Sequence, residues 1–247
     1  MRMLNKGAVK GLFGLKTWLE ITRSASHLIY PETCLICDGE LTSNERSICS
    51  FCSPDLEYTY FERYSEPTEL DKLFWGRVQI QHTYSLLYFR KERSTQQILH
   101  ALKYKHSPQV GVEFGRIIGR SLKSSALAKD IDLLVPVPLH PRKEFQRGYN
   151  QSEELANGIS DVLSIPVDNS FLKKSIHTGS QTKKGRFDRW DNVSHVFRIG
   201  KKKNHPTHIA IVDDVITTGA TLESIVRTVQ KNYPDIRVSI ISLALTK

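Results

Sequence analysis

Ile209-Ala210-Ile211-Val212-Asp213-Asp214-Val215-Ile216-Thr217-Thr218-Gly219-Ala220-Thr221 changes character twice within thirteen residues. Its first four residues are apolar and partly β-branched, the composition of a strand covered on both faces in a parallel sheet. Two acids follow and are expected to end the strand. A hydroxyl-rich turn with one glycine comes next, and then Leu222, Ile225, Val226 and Val229 recur at helical spacing, which predicts a helix from about Ala220.

A strand, a tight Gly/Thr turn and a helix N-terminus gather free backbone N–H groups and the positive end of the helix dipole at one point, which suits a phosphate. Thr217, Thr218 and Thr221 add hydroxyl donors, and Gly219 allows close backbone approach or a positive φ. Carboxylates would repel a phosphate, so Asp213 and Asp214 need another partner on the same ligand, either a sugar diol or a Mg²⁺ ion. Ribose 5-phosphate carrying a pyrophosphate supplies all three groups. The plain alternative is a buried strand whose polar residues only cap a helix, but a cap needs one acceptor, not two acids and three threonines. The string resembles the phosphoribosyl pyrophosphate (PRPP) signature of type I phosphoribosyltransferases. That resemblance implies that Asp213 and Asp214 hold the ribose hydroxyls, that Thr217, Thr218, Gly219, Ala220 and Thr221 hold the 5-phosphate, and that Mg²⁺ accompanies the pyrophosphate.

Three further apolar runs read as strands: Tyr84 to Phe89, Asp132 to Val137 ending at Pro138, and Arg237 to Leu245. Helical patterns between them (Ile98 and Leu102; Val110 to Leu122; from Ser152) give an alternating order, hence an α/β class with a Rossmann-like parallel sheet. Residues 53 to about 80 read as a linker. Leu139 to Gln151 reads as a long basic loop, placed by its strand at the carboxyl end of the sheet, where ligands sit. Arg142 and Arg147 there suit bidentate pyrophosphate contact, although loop arginines are often only solvated. Lys103, Lys105 and His106 fit either an anion contact or a solvated helix end.

All four cysteines fall in Cys34-Leu35-Ile36-Cys37 and, eleven residues on, Cys49-Ser50-Phe51-Cys52. Two C-x2-C knuckles suit four-thiolate Zn²⁺, a closed and therefore structural site. Two disulfides or a dithiol redox pair are the alternatives.

The net charge of +9 is concentrated: Phe171 to Lys203 holds ten Lys/Arg against Asp188 and Asp191, which points to a polyanionic partner more than to general solubility. No apolar run reaches the roughly 18 residues of a membrane span. Leu12, Leu15, Trp18 and Leu19 recur at helical spacing among Lys6, Lys10, Lys16 and Arg23. Residues 1–28 are therefore expected to form an amphipathic basic helix, packed on the protein or touching a membrane peripherally, in a cytoplasmic protein.

The four-cysteine unit, the Val135-Pro136-Val137-Pro138 strand end, Arg147-Gly148-Tyr149-Asn150-Gln151 and the acidic-pair turn, in that order, resemble the ComF/GntX family. Thr178, Gln181, Arg189 and Asn192 match a further family pattern, with Lys184 where a leucine is usual. The resemblance implies a type I phosphoribosyltransferase fold at 61–247 behind a zinc unit at 29–60. It also makes Thr178 to Asn192 a closing loop whose Lys183 and Arg189 would meet a leaving pyrophosphate. It implies a role in natural transformation, with single-stranded DNA and a DNA-uptake helicase or other competence proteins as partners. Cations interleaved with rings, Arg142-Phe145-Arg147-Tyr149 and Arg186-Phe187-Arg189-Trp190, suit single-stranded nucleic acid, with Phe145, Tyr149, Arg186 and Trp190 the candidate contacts; core packing of those rings is the alternative. Two other functions stay open: a phosphoribosyltransferase of nucleotide or cofactor salvage with an unknown acceptor and no identifiable catalytic side chain, or a non-catalytic PRPP-responsive protein.

Overall fold

The structure, a computed structural model, describes residues 31–91, 94–105, 107–174, 196–200 and 206–247. The expected helix at 1–28, His106 and the expected closing loop at 178–192 lie outside the described residues.

The chain divides after Ser53 into two compact units, earlier than the 60/61 position expected from sequence. The reason is that Tyr58 bridges to Leu87 and the Thr59 N–H donates to the Leu86 carbonyl at 3.0 Å, so these residues extend the sheet of the second unit. In the first unit Thr33 bridges Glu40, and Leu41 with Cys34, Cys49 and Cys52 forms a small core flanked by Ile36 and Ile48.

The second unit opens with α1 (Glu69–Phe74), β1 (Thr83–Phe89), α2 (Ser94–Tyr104), α3 (Pro108–Leu122) and β2 (Leu133–Pro136). It continues with α4 (Pro141–Arg147), α5 (Gln151–Leu163), β3 (Leu172–Lys174) and β4 (Phe197–Ile199), and closes with β5 (His208–Ile216), α6 (Ala220–Asn232) and β6 (Arg237–Thr246). Four strands form a parallel sheet in the order β1-β6-β5-β2. The α/β class and the parallel sheet are as expected. Eight consecutive residues of β6 are buried, as a strand covered on both faces requires. β3 and β4 form a separate antiparallel pair, Leu172 opposite Ile199 and Lys174 opposite Phe197.

Three local expectations are corrected. The stretch from 53 to 80 is no linker: Leu56, Phe61, Leu70 and Phe74 are buried, and a Thr68/Asp71 capping box starts α1. The basic loop contains α4, entered through Pro141 at its first position and left through Gly148 at φ 80°, the usual asymmetry of helix ends. Finally, β5 does not stop at the acids, because β6 is long enough to pair it out to Ile216 opposite Leu245.

Helices α3 and α5 pack closely, backbone nearly on backbone. A Cβ placed on Gly158 would lie 2.0 Å from the Val112 carbonyl oxygen, and one on Gly115 2.2 Å from that of Leu155. This contact fixes the start of α5, from which part of the site is built.

Candidate functional site

β5 carries Asp213 and Asp214 to the carboxyl end of the sheet, and Gly219 turns the chain at φ 71° into α6, which begins at Ala220. The turn is exposed at Thr217, Thr218, Ala220 and Thr221, while the acids are partly buried. Both carboxylates are held. Asp213 Oδ1 accepts from Ser152 Oγ at 3.2 Å and from the Asp214 N–H at 2.9 Å. Asp214 Oδ2 pairs with Lys103 Nζ at 3.0 Å, and its Oδ1 accepts from the Val215 N–H at 2.8 Å. Burial, and then the neighbouring Asp214 charge, hold the Asp213 carboxyl well above the usual carboxylate range.

The second wall is the Arg147 to Ser152 run. Asn150 is buried; its Nδ2 donates to the Val137 carbonyl at 3.0 Å and its Oδ1 accepts from the Ser152 N–H at 3.1 Å, capping α5. That cap aims Ser152 at Asp213. Tyr149 donates its hydroxyl to the Leu102 carbonyl at 2.6 Å, which ties this wall to the end of α2 and so to Lys103. Arg147 bonds Gln151 Oε1 at 2.8 Å and lies over the Tyr104 ring. Arg142 and Phe145 are exposed on α4, Phe145 at 91%.

Lys174, at the end of β3, is pushed below the ordinary lysine value by burial first and the Lys143 charge second, with Asp213 pulling the other way. Lys183, Arg186, Arg189 and Trp190 lie outside the described residues.

Sequence reasoning missed two supports. Ser152 was read only as a helix start. Arg77 lay in the supposed linker, yet it donates Nη1 to the Thr218 carbonyl at 3.0 Å and Nε to Glu223 Oε2 at 2.8 Å. Arg227 takes the other Glu223 oxygen, with Nη2 at 2.9 Å from Oε1. Burial raises the Glu223 carboxyl while Arg227 and Arg77 lower it, for a net fall. Two guanidiniums thus neutralise the one acid in the first turn of α6, where it would oppose an anion.

In the first unit the four cysteine sulfurs lie within 4.8 Å of one another, and Cys37 Sγ is 3.7 Å from Cys49 Sγ. A disulfide needs about 2.05 Å. A tetrahedral metal with four sulfurs at about 2.3 Å implies an edge close to the separation seen. The Ile36 and Cys49 N–H groups point at Cys34 Sγ, at 3.5 and 3.4 Å, donors suited to a thiolate. This cluster could hold a metal ion.

Competence protein F of Haemophilus influenzae is 25% identical to the chain over 214 residues, 80% of this chain and 90% of that protein. DNA utilization protein YhgH of Escherichia coli K12 is 25% identical over 225 residues, 83% of this chain and 93% of the other. Competence protein ComFC of Bacillus subtilis is 31% identical over 90 residues, 36% of this chain and 35% of that one. No family model matches. Among solved structures, a purine phosphoribosyltransferase from Pyrococcus horikoshii aligns with a TM-score of 0.32 and 19% identity over 55% of this chain and 74% of that one. No described helix is long and apolar enough to cross a membrane.

Proposed function

We propose that the second unit binds PRPP with Mg²⁺ at the 213–221 turn, and that the protein handles single-stranded DNA in the cytoplasm during natural transformation. The observation that carries the first half is the acidic pair standing beside the α6 N-terminus at the carboxyl end of a parallel sheet. Thr217 to Thr221 offer hydroxyl and backbone donors to the 5-phosphate, and Asp213 and Asp214 accept from the ribose diol. Mg²⁺, if bound, would neutralise pyrophosphate charge beside Asp214. Ligand entry has to displace Lys103 from Asp214, and the released ammonium then has a phosphate oxygen as its natural new partner.

Replacing Asp213 by Asn tests this with two readouts. At alkaline pH, where Asp213 is ionised, a charged hydrogen bond contributes about 1.5–3 kcal/mol, so PRPP affinity measured there by calorimetry should fall roughly 10- to 150-fold. Stability should move the other way. Asp213 has a raised carboxyl in the folded state, so from its unfolded value of 3.8 upward the folded protein holds more protons, and stability falls as pH rises through that window. The Asn variant lacks this loss and should melt a few degrees higher than wild type at alkaline pH. Unchanged PRPP affinity would sink the proposal.

For single-stranded DNA the support is the cation surplus at 171–203, the exposed Phe145 beside Arg142, and relatives named for competence and DNA utilization. Oligonucleotide affinity should fall steadily with added salt as phosphate contacts are screened; a salt-independent constant would contradict it.

A further inference from the structure

A cavity lies at the end of the sheet opposite the acidic pair, where β1 and β6 begin. Its volume is about 570 Å³, and Phe74, Trp75, Gln81, Gln230, Asp235 and Arg237 are among its lining residues. Small-molecule sites span roughly 300–1,000 Å³. The rule that places ligands at the carboxyl ends of strands gives no reason for it.

Its polar groups fall into two sets. Asp71 is occupied internally by Thr68 and Thr83, and Gln230 donates to the Gln79 carbonyl at 2.8 Å. The side chains of Trp75, Gln81, Asp235 and Arg237 make no hydrogen bond among the described residues. Trp75, 62% exposed, offers a large flat ring. Asp71 and Asp235 outweigh the single guanidinium of Arg237 in the lining, so a phosphorylated ligand gains nothing here. Amide, carboxylate and guanidinium together form a donor and acceptor set that matches the edge of a heterocyclic base, and an aromatic or guanidinium face stacks on its plane.

The cavity also touches the phosphate turn through its wall. Phe74 lines it, and a Cβ placed on Gly219 would lie 2.9 Å from Phe74 Cε1, so the ring packs directly under that glycine. Arg77 makes a second tie, donating Nη1 to both the Leu73 and Thr218 carbonyls, at 3.1 and 3.0 Å. A ligand that shifts α1 shifts the turn.

We propose that this cavity is a binding site for an uncharged nucleoside, and that its occupancy is felt at the 213–221 turn through Phe74 and Arg77. The coupling half rests on the PRPP reading; the site itself does not. The chain has three tryptophans, so Trp18→Phe/Trp190→Phe leaves Trp75 as the only one. Adenosine, guanosine, cytidine and uridine are titrated against its fluorescence. At least one should quench saturably, and Arg237→Ala or Gln81→Ala should weaken that nucleoside about tenfold or more, the loss of one good polar contact. No saturable quenching by any of the four overturns the site. PRPP calorimetry is then repeated at saturating nucleoside, where the affinity should change at least about fivefold. An unchanged constant overturns the coupling alone. Nucleoside binding in a protein that never binds PRPP supports the site and refutes the PRPP reading instead.

Discussion

Gly158→Ala should destabilise the second unit by roughly 3 kcal/mol, the upper part of the usual range for overpacking, and lower its melting temperature by about 6–12 °C. Helix propensity predicts the opposite sign, since alanine is favoured over glycine by about 1 kcal/mol in a helix interior. Sterics decide. The new methyl would sit 2.0 Å from the Val112 carbonyl oxygen and 2.9 Å from the Arg116 amide nitrogen, and these are backbone atoms of α3 that no rotamer change can move away. Gly111, Gly115 and Gly119 bring one face of α3 against α5, and all three Cβ positions meet α5 atoms at 2.8 Å or less. Relief therefore requires the helices to separate along their whole contact. Ser160→Ala, two residues further on the same helix, is the control and should be neutral or slightly stabilising. A Gly158→Ala protein that melts at or above wild type would show that α3 and α5 do not approach as described.

A displaced α5 would also be felt at the site, because Asn150 and Ser152 stand at its first turn and Ser152 supports Asp213. The helix contact and the carboxylate are linked through one hydrogen bond and one cap. Free, the acidic pair is held by Ser152 and Lys103 rather than left bare, which keeps two neighbouring carboxylates tolerable in a partly buried place.

What could be read from sequence was local. The strand, the glycine turn and the start of α6 were legible because each depends on residues within a few positions of one another, and Gly219 at positive φ is the clearest case. Local signals were also overlooked. Pro141 and Gly148 bracket α4, and Thr68 with Asp71 marks the start of α1, yet both segments were read as irregular. The repeat of glycine at 111, 115 and 119 was a readable sign of close helix contact, but its partner Gly158 was not. The partners of the acids were beyond reach for a different reason: Ser152 is 61 residues from Asp213, and Arg77 is 146 from Glu223. No periodicity encodes such pairs, since they follow from the order of strands in the sheet. Strand order β1-β6-β5-β2 brings the end of α2 over β5, which is why Lys103 finds Asp214.

Metal removal should have the largest effect of all, and it is confined to the first unit. Here we propose Zn²⁺ as the ion held by Cys34, Cys37, Cys49 and Cys52. Around the cysteines the buried cluster contains only Leu41 besides three of the thiols, with Ile36 and Ile48 packed partly against it. A core of that size contributes a few kcal/mol at most at about 1.5–3 kcal/mol per buried aliphatic side chain, too little to offset the chain entropy of ordering such a segment. Zinc bound by four thiolates supplies on the order of 10 kcal/mol in folding energy. Protein purified without chelator should carry one zinc per chain by elemental analysis. Cys34→Ser, which removes the fully buried ligand and the acceptor of the Ile36 and Cys49 N–H groups, should reduce this to near zero. Amide protection in residues 34–52 should vanish in that variant and in chelated wild type, while the protected strands β5 and β6 of the second unit keep theirs, since their pairing draws on none of these residues. Full protection of residues 34–52 in metal-free protein would refute the assignment, and so would a stoichiometric metal that survives the loss of Cys34.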